Sequence, residues 1–272
     1  MNAGVNMAIK ATILLIIIAY LCLIIGLYIL QRKLIFFPDT SIPNTSLYGN
    51  YDINEITVQT EDKLVLKGWM HSAEPNKPTI IFFHGNAGHY GHRIYNVESY
   101  VKAGFGVILV GYRGYGGNAG TPSEEGFYKD AHAYISQAIK DGVNEENIIL
   151  YGQSIGTGVA VQMATKFRNI KALILEAPYT SLPDVAAEIY SFIPVRTLMK
   201  DKFDSLSKIK DVTAPLLIIQ GLKDQVIPPA FGQTLYEEAE TTKHIYQLKN
   251  HGHNDLPFDL LSSKVIEFVT DK

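Results

Sequence analysis

An α/β fold with a mostly parallel, eight-stranded sheet is what the sequence predicts, and three observations predict it. Short apolar runs alternate with helical patterns along residues 53–272, as expected of parallel strands covered on both faces. One of these runs passes through Gly152-Gln153-Ser154-Ile155-Gly156 directly into a helical pattern. A charge-free stretch at residues 11–30 stands apart from this domain.

That stretch reads ATILLIIIAYLCLIIGLYIL, and thirteen of its residues are Leu or Ile. At about 1.5 Å per residue it spans the roughly 30 Å hydrocarbon core of a bilayer. A buried core helix would carry a polar face, and this one has none. A cleaved signal peptide would have a shorter apolar region and a small-residue cleavage site. Here the stretch ends in Ile29-Leu30-Gln31-Arg32-Lys33. The expectation is an uncleaved single-pass anchor at 11–30, preceded by a tail at 1–10 and followed by a linker at 31–52. Lys10 on one side and Arg32 with Lys33 on the other give the positive-inside rule nearly a tie over orientation. Asn44-Thr45-Ser46 in the linker is a formal glycosylation sequon.

Residues 53–272 then form one domain. Expected strands cover 53–59, 64–69, 79–83, 106–110, 148–151, 172–175, 216–220 and 245–248. The first two alternate apolar and polar residues and are expected to pair as an antiparallel hairpin at the sheet edge. Helical patterns lie at 92–103, 123–140, 154–167, 230–240 and 257–269. A composition of 47% apolar and 19% charged residues is that of an ordinary globular protein. The net charge of −3 argues against nucleic acid as a partner. The single cysteine, Cys22, lies in the apolar stretch. The domain therefore has no disulfide, no Cys-ligated zinc and no Cys nucleophile.

Chemistry enters at Ser154. A serine between two glycines, after a strand and before a helix, sits on a sharp turn with its hydroxyl exposed. The helix N-terminus behind it favours negative charge there. A dinucleotide reading of Gly156-Thr157-Gly158 fails, because Val161 stands where a third small residue is required. An acyl-transfer serine needs a base, an orienting acid and an oxyanion site. In one class of acyl-transfer enzymes built on this turn, the chain order is serine, acid, histidine. Asp224, in Gly221-Leu222-Lys223-Asp224, leaves the end of one strand, and His253 follows the last one. His253 is favoured over His251 as base, and Glu176 is the runner-up acid. The backbone N–H groups of Asn86 and Ile155 are the expected oxyanion donors. His84 is expected to organise its loop. His84, His89 and His92, and likewise His251 with His253, are not read as metal ligands, because the serine machinery already accounts for these loops. No metal and no cofactor are expected.

With these residues in place, the domain resembles the serine hydrolases of the α/β-hydrolase fold. It is most similar to the membrane-anchored α/β-hydrolase-domain proteins related to the yeast bud-emergence protein. The stretches that carry the resemblance are His84-Gly85-Asn86-Ala87-Gly88, Tyr112-Arg113-Gly114-Tyr115-Gly116, Gly152-Gln153-Ser154-Ile155-Gly156, Gly221-Leu222-Lys223-Asp224 and Gly252-His253-Asn254-Asp255. The resemblance implies Ser154, Asp224 and His253 as a triad. It also implies esterase, lipase or thioesterase chemistry without a cofactor. Branches of this fold that use an Asp nucleophile are disfavoured by Ser154. A serine peptidase and a non-catalytic membrane scaffold are the alternatives. Two positions depart from the pattern: Gly111 stands where an Asp is usual, and Asn118 where a Ser is common. Arg113 is expected to tie its loop to neighbouring carbonyls or an acid.

Residues 178–213 are the one long insertion between a strand and the next. Leu182, Val185, Ala186, Ile189, Phe192 and Ile193 recur there at helical spacing. A small lid lining an acyl pocket is the functional expectation, and the substrate expected is a small acyl or lipid molecule near the membrane. Nothing in the sequence specifies an oligomer.

Overall fold

The computed structural model describes residues 3–44 and 52–270. Its sheet has eight strands: β1 (Asn54–Gln59), β2 (Val65–His71), β3 (Thr79–Phe83), β4 (Gly106–Leu109), β5 (Ile148–Gln153), β6 (Ala172–Glu176), β7 (Leu216–Gly221) and β8 (Lys243–Leu248). Their order is β1-β2-β4-β3-β5-β6-β7-β8. Only β2 runs against its neighbours, pairing antiparallel with both β1 and β4. The hairpin and the parallel remainder expected from the pattern are thus both present.

The helices are α1 (Ala3–Ile35), α2 (Ile94–Lys102), α3 (Glu124–Lys140), α4 (Ile155–Lys166), α5 (Leu182–Ile189), α6 (Val195–Leu198), α7 (Pro229–Glu238) and α8 (Phe258–Thr270). Alternation along each strand sorts the core into two layers. Ile81 and Phe83 face Tyr134 of α3, Val159 and Met163 of α4 and Leu235 of α7. Ile80 and Phe82 face Val97 and Tyr100 of α2 and Leu261 and Val265 of α8. Covered on both sides, β3 is buried at every position, which is why it reads as an unbroken apolar run.

Among the described residues, α1 is the one helix long and apolar enough to cross a membrane, and its apolar window is not buried against the rest of the chain. It continues past residue 30 to Ile35, with Arg32 and Lys33 in its last turn, where cations suit the helix dipole. The segment after it does not hang free. Phe36 is buried, with its ring 5.2 Å from Phe127 and 6.5 Å from Phe203. Phe37–Pro38 pairs in parallel with Ala87–Gly88. Residues 45–51 of the expected linker, including Thr45 and Ser46 of the sequon, lie outside the described residues.

The two departures from the family pattern prove to be one feature. The Asn118 amide accepts from the Lys67 N–H at 2.8 Å and donates to the Lys67 carbonyl at 2.9 Å, extending the β2 edge. A Cβ on residue 111 would lie 1.9 Å from that same carbonyl oxygen and 2.7 Å from Asn118 Nδ2. Gly111 clears the space and Asn118 fills it. Arg113, as expected, holds acids: its guanidinium donates to buried Asp130 at 2.8 Å and to Asp62 at 2.8 Å.

Candidate active site

Ser154 connects β5 to α4 with φ 53° and ψ −121°. A non-glycine residue pays for such a backbone, which therefore persists only where neighbours enforce it. The Ser154 N–H donates to the Glu176 carbonyl at 2.9 Å, and the Ser154 carbonyl accepts from the N–H and the hydroxyl of Thr157 at 2.9 and 2.7 Å. The flanking glycines have a steric cause. A Cβ on Gly156 would sit 2.0 Å from the Phe83 carbonyl oxygen, and one on Gly152 would sit 2.5 Å from the Gly156 carbonyl oxygen. Both obstacles are backbone, which has little freedom to yield.

The ends of β3, β5, β7 and β8 converge at one edge of the sheet, the usual place for a site in an open α/β fold. Asp224 follows β7 and His253 follows β8. His253 Nδ1 lies 2.7 Å from Asp224 Oδ2, and His253 Nε2 lies 3.1 Å from Ser154 Oγ. A carboxylate only accepts, so Nδ1 carries the proton and Nε2 accepts from the serine hydroxyl. The other Asp224 oxygen accepts from the N–H groups of Val226 and Ile227, each at 2.8 Å. Burial works to raise the Asp224 pKa, but the hydrogen bond from His253 and the two backbone donors overcome it and hold the group below the ordinary value.

The other sequence candidates fall elsewhere. The His251 ring makes no hydrogen bond to Ser154 or Asp224; its Nδ1 is buried without a partner. Glu176 is fully enclosed and is engaged by Tyr151 Oη at 2.6 Å and Gln153 Nε2 at 2.8 Å. Burial raises its pKa. It floors the cavity and does not touch the imidazole through a hydrogen bond. The His84 Nδ1–H donates to the Gly85 carbonyl at 2.7 Å, and its ring lies between Tyr112 and Tyr115. Burial pushes its pKa down to about 3, with the Arg93 charge as the next cause.

Ile155 opens α4, so its N–H has no intrahelical acceptor. Asn86 lies on the loop after β3, whose backbone approaches the nucleophile closely: a Cβ on Gly85 would be 3.5 Å from Ser154 Cβ. The Asn86 side chain is committed to the Ile35 carbonyl at 3.1 Å, and its carbonyl accepts from Phe37 N–H and Tyr115 Oη. Asn86, Ile155, Ser154 and His253 all line one cavity of about 690 Å³.

The wall of that cavity contains residues that local pattern did not single out. Leu34, Ile35 and Phe37, from the end of α1 and just beyond it, line it with Leu182, Val185, Ala186 and Ile189 of α5. The signal was the apolar run Leu34-Ile35-Phe36-Phe37 directly after a basic pair, too rich for a solvated linker. Of the six apolar residues noted in the insertion, Ile193 lines an adjoining cavity, whereas Phe192 lines neither.

One group of potential metal ligands occurs among the described residues. Asp39, His89 and His92 each offer a ligand atom within 4.8 Å of the others. His84 is not part of it, and the group lies outside the hydrogen-bonded chain of Ser154, His253 and Asp224. Burial, then the neighbouring His92 charge, lowers the His89 pKa.

Comparison with known proteins agrees with this architecture. The sequence family described as serine aminopeptidase, S33 matches residues 74–208. Protein bem46 of Schizosaccharomyces pombe is 33% identical over 219 residues, 75% of this chain and 73% of its own. An uncharacterised membrane protein of Saccharomyces cerevisiae is 31% identical over 208 residues, 74% of this chain and 73% of its own. Among solved structures, the Pyrococcus furiosus esterase Pf2001 superposes with a TM-score of 0.70 at 20% identity, over 87% of this chain and 98% of its own; that likeness concerns the fold alone.

Proposed function

The chain belongs to the bem46-related branch of the α/β-hydrolases, and from that premise we propose that it is a membrane-anchored serine hydrolase of carboxylic esters or thioesters. The observation that carries this reading is the unbroken hydrogen-bonded chain from Ser154 Oγ through His253 to Asp224, at 3.1 and 2.7 Å. In the proposed reaction His253 Nε2 takes the Ser154 proton as Oγ attacks the acyl carbonyl. The N–H groups of Asn86 and Ile155 stabilise the oxyanion. Asp224 holds the imidazole and stabilises its cation, and the leaving alcohol or thiol departs with the proton. Water, deprotonated by His253, then releases the acid from the acyl-enzyme.

The anchor reading rests on α1, whose apolar window is not buried inside the protein. The acyl preference rests on the cavity wall, which is mostly aliphatic and aromatic. The family description includes aminopeptidase chemistry, which requires an acceptor for a free amine. The carboxylate lining this cavity, Glu176, accepts from Tyr151 and Gln153.

Labelling with a fluorophosphonate probe, together with hydrolysis of p-nitrophenyl acyl esters, tests the reading. Wild type should label and turn over substrate, and Ser154→Ala should do neither. Equal turnover by the two proteins would refute it.

A further inference from the structure

We propose that the tip of the α5–α6 cap enters the lipid leaflet beside α1, and that the cavity between cap and anchor is the path by which a long acyl chain reaches Ser154 from within the bilayer. The proposal rests on the anchored-hydrolase reading and deepens it. It names the substrate as a long-chain acyl ester still resident in the leaflet.

The first observation is that anchor and cap are locked together. Arg32 grips Asp201 through two hydrogen bonds of 2.7 and 3.1 Å, and Asp201 is almost fully buried. The Gln31 side chain is buried, accepts from the Lys200 N–H at 2.7 Å and donates to the Leu198 carbonyl at 3.4 Å. The Lys200 ammonium stands 4.1 Å from the centre of the Tyr28 ring. α1 is thus a wall of the domain, held in one orientation.

The second observation is depth. Tyr28, Arg32, Lys33 and Lys200 together form the kind of aromatic and cationic belt that sits at headgroup level. The Tyr20 hydroxyl donates to the Phe192 carbonyl at 2.7 Å. Tyr20 precedes Arg32 by twelve residues, about 18 Å along the helix at about 1.5 Å each. The cap tip therefore reaches well below the belt. Its side chains suit that place: Ile189 is 62% and Phe192 64% exposed, beside an exposed apolar helix. The hydrogen bond suits it too, because a carbonyl in hydrocarbon must find a partner within the protein. Exposed Glu188 and the ion pair of Asp184 with Arg196 border the patch.

The third observation is adjacency. An apolar cavity of about 140 Å³ lies between α1 and the cap, lined by Leu27, Ile193 and Leu198 among others. It shares Leu34, Ile35, Ala186, Tyr190 and Met199 with the cavity that contains Ser154. In the proposed path an acyl chain passes from the leaflet to the serine between these shared side chains.

The test uses the full chain in phosphatidylcholine vesicles. Phe192→Cys, in a Cys22→Ser background, carries an environment-sensitive fluorophore. Quenching by nitroxide lipids and protection from aqueous iodide are expected; quenching by iodide alone overturns the insertion. In the second arm Leu198→Trp fills the seam. The ratio of oleoyl-ester to acetyl-ester hydrolysis should fall by at least about tenfold, the discrimination of one well-fitted methylene or more. An unchanged ratio overturns the path. Acetyl-ester hydrolysis that survives Ser154→Ala would sink the hydrolase reading instead, so the two failures are distinguishable.

Discussion

The turn around Ser154 and the seam between α1 and the cap face each other across one cavity, yet they are built on opposite principles. The turn is fixed by backbone: its two glycines are required by the carbonyl oxygens of Phe83 and Gly156, and Ser154 is held by the Glu176 carbonyl and by Thr157. The seam is fixed through side chains: Tyr20 meets Phe192, Gln31 meets Leu198 and Arg32 meets Asp201, pairs 167 to 172 residues apart. The turn exposes almost nothing apolar, whereas the seam leaves Ile189, Tyr190 and Phe192 uncovered. The difference separates two jobs. Reactive geometry tolerates no slack, while a surface that admits a flexible chain needs apolar area.

The contrast breaks most severely at the nucleophile. Ser154→Ala should lower ester turnover by at least about 10³-fold, since it removes the acyl-enzyme route. The folded state should survive, because the backbone bonds of residue 154 are independent of its side chain. Near-normal kcat/KM in that variant would remove the serine from the mechanism. Next in size is Gly156→Ala. Its methyl group would meet the Phe83 carbonyl oxygen at 2.0 Å and the His84 carbonyl oxygen at 2.9 Å. Overpacking against backbone should cost about 3 kcal/mol or more, read as a fall in denaturation midpoint. A comparable methyl loss or gain at the seam should cost far less, and equal costs would erase the distinction.

The same contrast explains what the sequence made legible. Strands such as β3 follow from runs like residues 79–83, because burial on both faces leaves a continuous apolar signature, and the β1–β2 hairpin follows from its alternation. Ser154, Asp224 and His253 were nameable because each leaves a strand end within a few residues of its motif. The choice of His253 over His251 agrees with the hydrogen bonds. The seam was not legible. Leu34, Ile35 and Phe37 sit in what reads as a linker, and their place in the cavity wall depends on α5, about 150 residues away. Helical spacing in the insertion grouped Phe192 with Ile189, although only Ile189 turns to the cavity. Spacing identifies a face, and what that face meets is decided by tertiary packing.

The two regions should also respond differently to acid. His84 is pushed down to about 3 by burial and then by the Arg93 charge, against about 6.5 in an unfolded chain. Between those values the unfolded state binds a proton that the native state refuses. Stability on the Ser154 side is therefore full above about pH 6.5 and declines as pH falls toward about 3. His84→Asn, which retains a donor for the Gly85 carbonyl, should give a shallower decline of Tm from about pH 6.5 to about pH 4. A slope identical to wild type would assign the acid lability to other groups.

The smallest expected effect on stability is also the sharpest on substrate choice. Ile189 is 62% exposed and yet lines the cavity. Ile189→Ala should change stability by only about 0.5 kcal/mol, as at other exposed positions. It should nevertheless flatten the rise of kcat/KM from acetyl to longer acyl esters, because one wall of the acyl site recedes. The loss is bounded by about 1–3 kcal/mol of transition-state binding per well-fitted methylene. Phe192→Ala removes a larger exposed side chain three residues along, and Phe192 does not line the cavity. With short water-soluble esters its chain-length profile should stay that of wild type, and it should diverge only for esters dissolved in vesicles. The pair thus separates binding at the serine from entry through the leaflet. Should both variants flatten the soluble-ester profile equally, the cap would be acting as one hydrophobic cover, and the division of labour between its inner wall and its tip would fail.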